Sequence, residues 1–175
     1  MVYKQVKIQS VQPRDVEKLL HIGRQTFYEA FGPPHNSEEN ITNYLNEKIT
    51  LNNIVKEINN PKSKFYFAII NKEIAGYIKI NFDYAQTEPI NDNSMEIERI
   101  YVLKEFQGKK IGQLFLEYTV KIAKQKEIDF IWLGVWEKNI DAIRFYKRND
   151  FKQFDTHQFL LGTDLQTDII MKLEL

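Results

Sequence analysis

"ERIYVLKEFQGKKIGQLFLEYTV", residues 98–120, changes from a β-rich run to a helical pattern across a loop with two glycines and three lysines. In its second half, apolar residues recur at the spacing of one helix face, at Ile111, Leu114, Phe115, Tyr118 and Ile122. This pattern predicts a strand over residues 95–103 followed by a helix over residues 110–126. Because the helix begins near Lys110, its first turn belongs to the loop itself.

The composition limits the classes of protein to consider. The 175 residues are 43% hydrophobic and 13% aromatic, which is enough to bury the core of one domain, and we expect a single domain over residues 1–175. Lysine plus arginine and aspartate plus glutamate number 24 each, so no overall charge favours nucleic acid or an acidic membrane as a partner. The absence of cysteine excludes disulfides and is compatible with a cytoplasmic location.

Further elements can be placed on both sides of the opening stretch. Before it, the pattern predicts a strand over residues 4–10, a helix from residue 12 to Gly32, helical stretches over 37–45 and 50–59, and a hairpin of strands 64–70 and 73–81. After it come a strand over 130–136, a helix over 140–148 and two closing strands. This order predicts an α/β (α+β) fold with a mixed, mostly antiparallel sheet of six to seven strands flanked by helices.

The loop at residues 107–112 has the features of an anion site. A helix start leaves backbone N–H groups unpaired and carries a partial positive charge, which suits a phosphate. Gly108 and Gly112 allow close approach to the backbone, and Lys109 and Lys110 add positive charge. An ordinary strand-to-helix turn with solvated lysines explains the same residues equally well. The glycine patterns of P-loops and dinucleotide-binding loops are both absent.

This loop also resembles a family signature. Gln107 and Gly112, at this spacing after a strand, look like the Gln/Arg-x-x-Gly-x-Gly/Ala loop of the GNAT superfamily of N-acetyltransferases, which binds the pyrophosphate of acetyl-CoA. Lys110 replaces the first glycine of that signature, and we interpret the substitution as an ordinary helical backbone at residue 110. Residues 139–151 resemble the family's Asn-x-x-Ala-x-x-x-Tyr-x-x-x-Gly-Phe segment, with Asp150 in the glycine position and able to end the helix in a left-handed conformation.

Several further segments resemble the PaiA-type polyamine acetyltransferases of this superfamily. They are "TFYEAF" (26–31), "NSEEN" (36–40), "AGYIKINFDYAQ" (75–86), "EIERIY" (96–101), "IWLGVWEKN" (131–139) and "QTDIIM" (166–171). The resemblance extends over nearly the whole chain. It implies the GNAT fold and acetyl transfer from acetyl-CoA to spermidine, spermine or a related amine.

The resemblance also implies roles for individual residues. A bulge in the strand before the loop is expected to offer a backbone N–H to the thioester oxygen. Tyr146 is expected to protonate the departing CoA thiolate, although without the family it would be interpreted as a core tyrosine. The residues expected to bind acetyl-CoA are Ile100, Tyr101, Val102, Gln107, Gly108, Lys109, Lys110, Ile111, Gly112, Asn139, Tyr146 and Arg148. Asn139 is also expected to cap its helix.

Acidic residues are the candidates for the acceptor side. An acceptor amine has a pKa near the ~10.4 of lysine, so it must lose a proton before it attacks a thioester. Glu98 is the first candidate for the catalytic base and Glu96 the second, although Arg99 could instead pair with Glu98. Residues 81–98 contain no lysine or arginine and five acids: Asp83, Glu88, Asp92, Glu96 and Glu98. We expect Asp83, Glu96 and Glu29 to bind a polycationic substrate, whereas the alternative is a solvated acidic loop.

Other chemistries have no signature in the chain. His21, His35 and His157 lack metal-ligand spacing, so we expect no metal site. The sequence also lacks a nucleophile motif, so direct attack by the amine is favoured over a covalent intermediate. We expect neither a signal peptide nor a membrane span. Two other functions stay open: acetylation of a protein N-terminus or lysine, and a non-catalytic acetyl-CoA-binding regulator. Whether the chain forms a homodimer through its late strands also stays open.

Overall fold

The computed structural model describes residues 6–88 and 93–175. The strands are β1 (Lys7–Ser10), β2 (Ser63–Ile70), β3 (Glu73–Phe82), β4 (Ser94–Val102), β5 (Phe130–Trp136), β6 (Lys152–Leu161) and β7 (Asp164–Glu174). The α-helices are α1 (Val16–Phe31), α2 (Glu38–Glu47), α3 (Leu51–Asn59), α4 (Ile111–Gln125) and α5 (Ile140–Arg148). These elements follow the predicted order, and the first two residues of the strand predicted over 4–10 lie outside the described residues.

The strands form one sheet in the order β1-β2-β3-β4-β5-β7-β6. β4 and β5 are parallel, and every other neighbouring pair is antiparallel. The predicted α/β fold with a mixed, mostly antiparallel sheet is therefore confirmed. β7 lies between β5 and β6, so β5 is paired with β7 and not with β6, the strand that follows it in the sequence.

The helices cover both faces of this sheet. Gly23 of α1 faces Tyr77 of β3, whereas Phe115 of α4 faces the adjacent Gly76. Adjacent residues of a strand point to opposite faces, so α1 and α4 lie on opposite sides of the sheet. α2 packs beside α1, and α5 packs beside the start of α4. One face therefore carries α1 and α2 and the other carries α4 and α5.

Large apolar side chains fill the space between the sheet and the helices. Phe67, Tyr77, Phe115 and Trp132 are each at most 1% exposed. Each fully buried side chain of this kind stabilises the fold by about 1.5–3 kcal/mol, so the sheet is a rigid support for what lies along it. Within the described parts of the chain, no helix is both long enough and apolar enough to cross a membrane.

The sheet opens between its two central strands. Ser94–Glu96 of β4 pairs with Phe130–Trp132 of β5, and the pairing ends there. Beyond this point β4 stays paired with β3 as far as Val102, and β5 stays paired with β7 as far as Trp136. The two parallel strands therefore diverge and leave an opening in the middle of the sheet.

β4 also carries a bulge at this opening. Lys79 of β3 lies opposite Arg99, whereas the next residue, Ile80, lies opposite Ile97. Glu98 therefore has no partner on β3, which is the arrangement of a β-bulge. The bulge that the resemblance implied is confirmed at this position.

Candidate active site

A slot of about 370 Å³ runs along the opening between β4 and β5. One wall includes Ile100, Tyr101 and Val102 of β4, and the other is formed by residues 133–136 of β5. No described strand pairs with this edge of β4 beyond Glu96. An unpaired strand edge can hydrogen-bond an extended ligand through its main chain, so the slot fits the amide-bearing pantetheine of acetyl-CoA.

A groove of about 760 Å³ continues from the slot over the first turn of α4. Gly108 has a φ of 74°, and Lys110 has a φ of 60° and a ψ of 19°, so both are left-handed. The ordinary helical backbone predicted at Lys110 was therefore wrong. The chain has to turn sharply before α4 begins, and a residue other than glycine pays roughly 1–2 kcal/mol for this conformation.

The groove presents positive charge and hydrogen-bond donors. It lies at the start of α4, where backbone N–H groups have no partner within the helix. The predicted residues that line it include Gln107, Gly108, Lys110, Ile111, Gly112 and Arg148. Lys109 does not line it, because its Nζ donates to the Glu105 carbonyl at 3.2 Å and lies over the Phe106 ring. The structure thus brings together every predicted loop contact except the Lys109 side chain, in a form that suits a pyrophosphate.

Tyr146 lies where the slot and the groove meet. Its side chain is only 6% exposed, and burial raises the pKa of its hydroxyl well above the usual value for tyrosine. The hydroxyl therefore keeps its proton at neutral pH. A neutral hydroxyl at this place can donate a proton or a hydrogen bond to a leaving thiolate.

The ends of α5 fix Tyr146 in this position. Asn139 caps the helix, because its Oδ1 accepts a hydrogen bond from the Ala142 backbone N at 3.2 Å, and it also lines the slot. Asp150 follows the helix with a φ of 65°, which is the left-handed ending predicted for it. Both predictions about the ends of this helix are confirmed.

A chamber of about 390 Å³ opens on the α1 and α2 side of the sheet. Aromatic side chains form much of its wall: Phe27, Phe31, Tyr44, Tyr77, Trp132, Trp136 and Phe159. The chamber and the slot share several residues, among them Glu98, Gly134 and Trp136. Two ligands can therefore reach the opening from opposite faces of the sheet, one along the groove and slot and the other through the chamber.

Glu98 belongs to an ion-pair network at the wall of the chamber. Its carboxylate pairs with Lys79 and with Arg99, at 3.1 Å for the latter, and accepts a hydrogen bond from Asn81. Glu57 pairs with both cations as well. Burial acts to raise the pKa of Glu98, but the charges of Arg99 and Lys79 outweigh burial and hold that pKa below its usual value. A carboxylate held in its charged form is a weak proton acceptor, so the network argues against Glu98 as the base.

Glu96 is more deeply buried than Glu98, with only 3% of the residue exposed. Its carboxylate accepts hydrogen bonds from the backbone N and Oγ1 of Thr87, at 2.9 and 2.5 Å, and from Asn81 Nδ2 at 3.0 Å. Burial raises its pKa above the usual range, and these hydrogen bonds offset only part of that effect. Within the part of the chain that the structure describes, no cation pairs with Glu96, so a cationic ligand would find an uncompensated carboxylate here.

The two other predicted substrate contacts lie elsewhere. Glu29 lines the slot rather than the chamber and accepts a hydrogen bond from the Lys104 backbone N at 2.9 Å. Asp83 lines neither the slot nor the chamber, and its exposed carboxylate pairs with Lys62 at 2.5 Å. The structure therefore does not bring Asp83 together with the other acids, and its role as a substrate contact stays a prediction.

Asp168 of β7 is a chamber residue that the sequence did not predict. Its Oδ2 would lie 3.6 Å from a Cβ atom placed on Gly134. Glu88, from the acidic run, also lines the chamber and pairs with His157 at 2.8 Å, whereas Asp92 of that run lies outside the described residues. No local signal marks Asp168, since it occurs in an ordinary closing strand. Among residues 6–88 and 93–175, no group of three or more acidic, histidine or cysteine side chains is placed to hold a metal ion.

Comparison with known proteins identifies the family. Residues 19–151 match the acetyltransferase (GNAT) family. An uncharacterised N-acetyltransferase of Lactobacillus delbrueckii subsp. lactis is 38% identical over 167 residues, which cover 95% of this chain and 96% of the relative. The spermidine N(1)-acetyltransferase of Thermoplasma acidophilum is 30% identical over 155 residues, which cover 86% of this chain and 91% of the relative.

Solved structures agree with this relationship. The crystal structure of PaiA N-acetyltransferase from Thermoplasma acidophilum in complex with coenzyme A matches with a TM-score of 0.79 and 27% identity, over 98% of this chain and 99% of that one. A GNAT structure from Rhodopseudomonas palustris matches with a TM-score of 0.75 at 12% identity, which shows the fold alone. Family, fold and the groove and slot together show an N-acetyltransferase that uses acetyl-CoA as co-substrate. The chain belongs to the GNAT family of acetyltransferases.

Proposed function

We propose that the protein transfers the acetyl group of acetyl-CoA to a primary amine of a polyamine such as spermidine or spermine. The observation that carries this proposal is the chamber, which meets the slot at the opening and is lined by the acids Glu88, Glu96 and Asp168. The similarity to the spermidine N(1)-acetyltransferase of Thermoplasma acidophilum supports the same class of acceptor.

The charges around the chamber favour a cationic acceptor. The positive charges of Lys79 and Arg99 are balanced by the carboxylates of Glu57 and Glu98, to which they are paired. This network therefore adds no net charge to the chamber. The remaining acids leave a negative surface, and the aromatic walls can hold ammonium groups through cation–π contacts. A polyamine with several ammonium groups on an apolar chain matches both features.

On the donor side, each part of the site has a defined task. The start of α4, Lys110 and Arg148 would hold the pyrophosphate of acetyl-CoA, and the free edge of β4 would hold its pantetheine. The thioester would then lie in the slot beside the bulge at Glu98. A backbone N–H released from the β-ladder there can stabilise the negative charge that develops on the thioester oxygen.

The transfer is a direct attack. The amine nitrogen bonds to the carbonyl carbon of the thioester, the carbon–sulfur bond breaks, and the sulfur receives a proton from the Tyr146 hydroxyl. The proton that leaves the nitrogen as the amide forms restores Tyr146. The products are the N-acetylated polyamine and free CoA.

The proposal is tested by the rate of CoA release from acetyl-CoA with spermidine, spermine, a monoamine and peptides with a free N-terminus or lysine. Spermidine and spermine are expected to give the highest kcat/KM. Tyr146→Phe is expected to lower kcat by about ten-fold or more without weakening acetyl-CoA binding. The control is Tyr118→Phe, which removes a hydroxyl from α4. The ring of Tyr118 packs on Tyr66 and lines neither the slot, the groove nor the chamber.

The panel also separates the alternatives. Turnover with a peptide but with no polyamine would replace the proposal by a protein acetyltransferase. Binding of acetyl-CoA without turnover of any acceptor would indicate a regulator.

A further inference from the structure

We propose that Asp168 is the catalytic base, the carboxylate that removes a proton from the acceptor ammonium group so that the amine can attack the thioester. This inference rests on the proposed function, because it requires an amine in the chamber. Asp168 is not one of the acids of β4 that the sequence suggested for this task, and it reaches the opening from the other side, on β7.

The position of Asp168 is set by its neighbours in the sheet. It lies opposite Trp136 of β5 and opposite His157 of β6. Its Oδ2 would be 3.6 Å from a Cβ on Gly134, a residue that lines both the slot and the chamber. Because Gly134 has no side chain, it does not block the path between the Asp168 carboxylate and the opening. An attacking nitrogen must come within about 3–3.5 Å of the thioester carbon, so it lies near Gly134 and within reach of Asp168 directly or through one water.

The other acids of the chamber are occupied. Glu98 is held by Lys79 and Arg99, Glu96 accepts hydrogen bonds from Thr87 and Asn81, and Glu88 pairs with His157. The Asp168 carboxylate makes no hydrogen bond or ion pair with any residue of the described chain. Both of its oxygens are therefore available to an ammonium group, which none of the other three carboxylates offers.

The electrostatic surroundings agree with this role. Burial raises the pKa of Asp168, and the nearby His157 offsets part of that increase. A carboxylate with a raised pKa accepts a proton more readily than an exposed one. The titratable and charged groups that line the chamber around it are His157 on β6, Glu96, Glu98, Arg99 and Tyr101 on β4, Glu88 in the loop before β4, Tyr77 on β3 and Tyr44 on α2.

The protons balance over the whole reaction. The ammonium group carries three N–H bonds and the amide product carries one. Asp168 takes the first proton and passes it to solvent at the rim of the chamber, where His157 is exposed. The second proton ends on the sulfur of CoA by way of Tyr146. One proton is therefore released to solvent for each acetyl group transferred.

The test compares kcat/KM for spermidine from pH 6 to pH 9.5 in the wild type, Asp168→Asn and the control Asp129→Asn. Asp129 is an exposed carboxylate just before β5, at the end of the strand away from Gly134. At pH 7, Asp168→Asn is expected to lose about 10²–10³-fold in kcat/KM. The loss is expected to shrink as the pH approaches the amine pKa of ~10.4, because free amine then forms without a base. The control is expected to follow the wild type throughout.

A loss of activity that is constant with pH, or no loss at all, would overturn the proposal. Measuring the melting temperature of Asp168→Asn shows whether the variant is folded, so that a loss of activity is not confused with unfolding. Since the folded protein raises the pKa of Asp168, the charged carboxylate costs stability at pH 7, and Asp168→Asn is expected to melt at the same temperature as the wild type or higher.

The wild-type assays separate this inference from the proposed function. If the wild type acetylates a different amine and not spermidine, the proposed function fails, and the same pH comparison with that amine decides the role of Asp168. A wild type that acetylates no amine contradicts both.

Discussion

Gly134→Ala is expected to raise stability while lowering activity. An added Cβ would lie 3.5 Å from Ile170 Cδ1 and 3.6 Å from Asp168 Oδ2, which are ordinary van der Waals distances. The folded strand can therefore accept the methyl group without moving. Alanine also restricts the unfolded chain more than glycine does, so the free energy of unfolding is expected to rise by about 0.5 kcal/mol. For a chain of this size, the melting temperature would rise by about 1–2 °C.

The same methyl group would stand where the slot meets the chamber. Gly134 lines both cavities, so the added atom would occupy space that the amine and the thioester need. A displacement of reacting groups by about 1 Å can cost about 100-fold in rate. We therefore expect kcat/KM for spermidine to fall by about 10–100-fold, whereas acetyl-CoA binding at the groove changes little.

Thermal unfolding, CoA release and direct titration with acetyl-CoA measure these three effects. Gly23→Ala is the matched control, because its Cβ would also meet atoms no closer than 3.6 Å and Gly23 lines neither the slot nor the chamber. The control is expected to keep full activity. Unchanged activity in Gly134→Ala, or a loss of stability above about 1 kcal/mol, would refute the placement of Gly134 at the junction.

Two other substitutions test the network and the loop. Glu98→Gln leaves Lys79 and Arg99 with one carboxylate partner, so the unfolding free energy at pH 7 is expected to fall by about 2–3 kcal/mol in urea titrations. Because the folded protein lowers the pKa of Glu98, this stabilisation is present above the ordinary pKa of 4.5 and is lost as the pH falls through the lowered value. A difference in unfolding free energy between wild type and Glu98→Gln that persists at about pH 2 would contradict the ion pairs. Lys110→Gly relieves about 1 kcal/mol of left-handed strain but removes a positive charge from the groove. Its melting temperature is expected to stay the same or rise while the KM for acetyl-CoA increases, and an unchanged KM would count against the groove as the pyrophosphate site.

Local periodicity made much of the fold predictable. The helix predicted over residues 110–126 is α4 at Ile111–Gln125, and the helix predicted over 140–148 is α5 at Ile140–Arg148. These segments have apolar residues at regular helical spacing and recognisable ends, so their structure is encoded within a few neighbouring residues. The left-handed backbone of Lys110 was not predictable in this way, because the turn before α4 overrides the ordinary preference of lysine.

The acceptor side of the site depends on contacts between distant segments. Asp168 reaches the opening because β7 lies between β5 and β6, whereas the chain order places β6 first. Glu98 is neutralised by Lys79 because β3 and β4 are antiparallel and the bulge brings the two side chains together. The local sequence around Glu98 shows neither its pairing with Lys79 nor the approach of Asp168. For this reason the sequence made Glu98 the first candidate for the base.

The central claim is that acetyl-CoA and the amine reach the opening from opposite faces of the sheet. A crystal structure of the protein with coenzyme A and spermidine would test it most directly. We expect the pyrophosphate of CoA at the turn of residues 108–112, its sulfur beside Tyr146, and spermidine in the chamber with an ammonium group against Asp168. Spermidine bound on the groove side of the sheet, or outside the chamber with the chamber left open, would contradict the account.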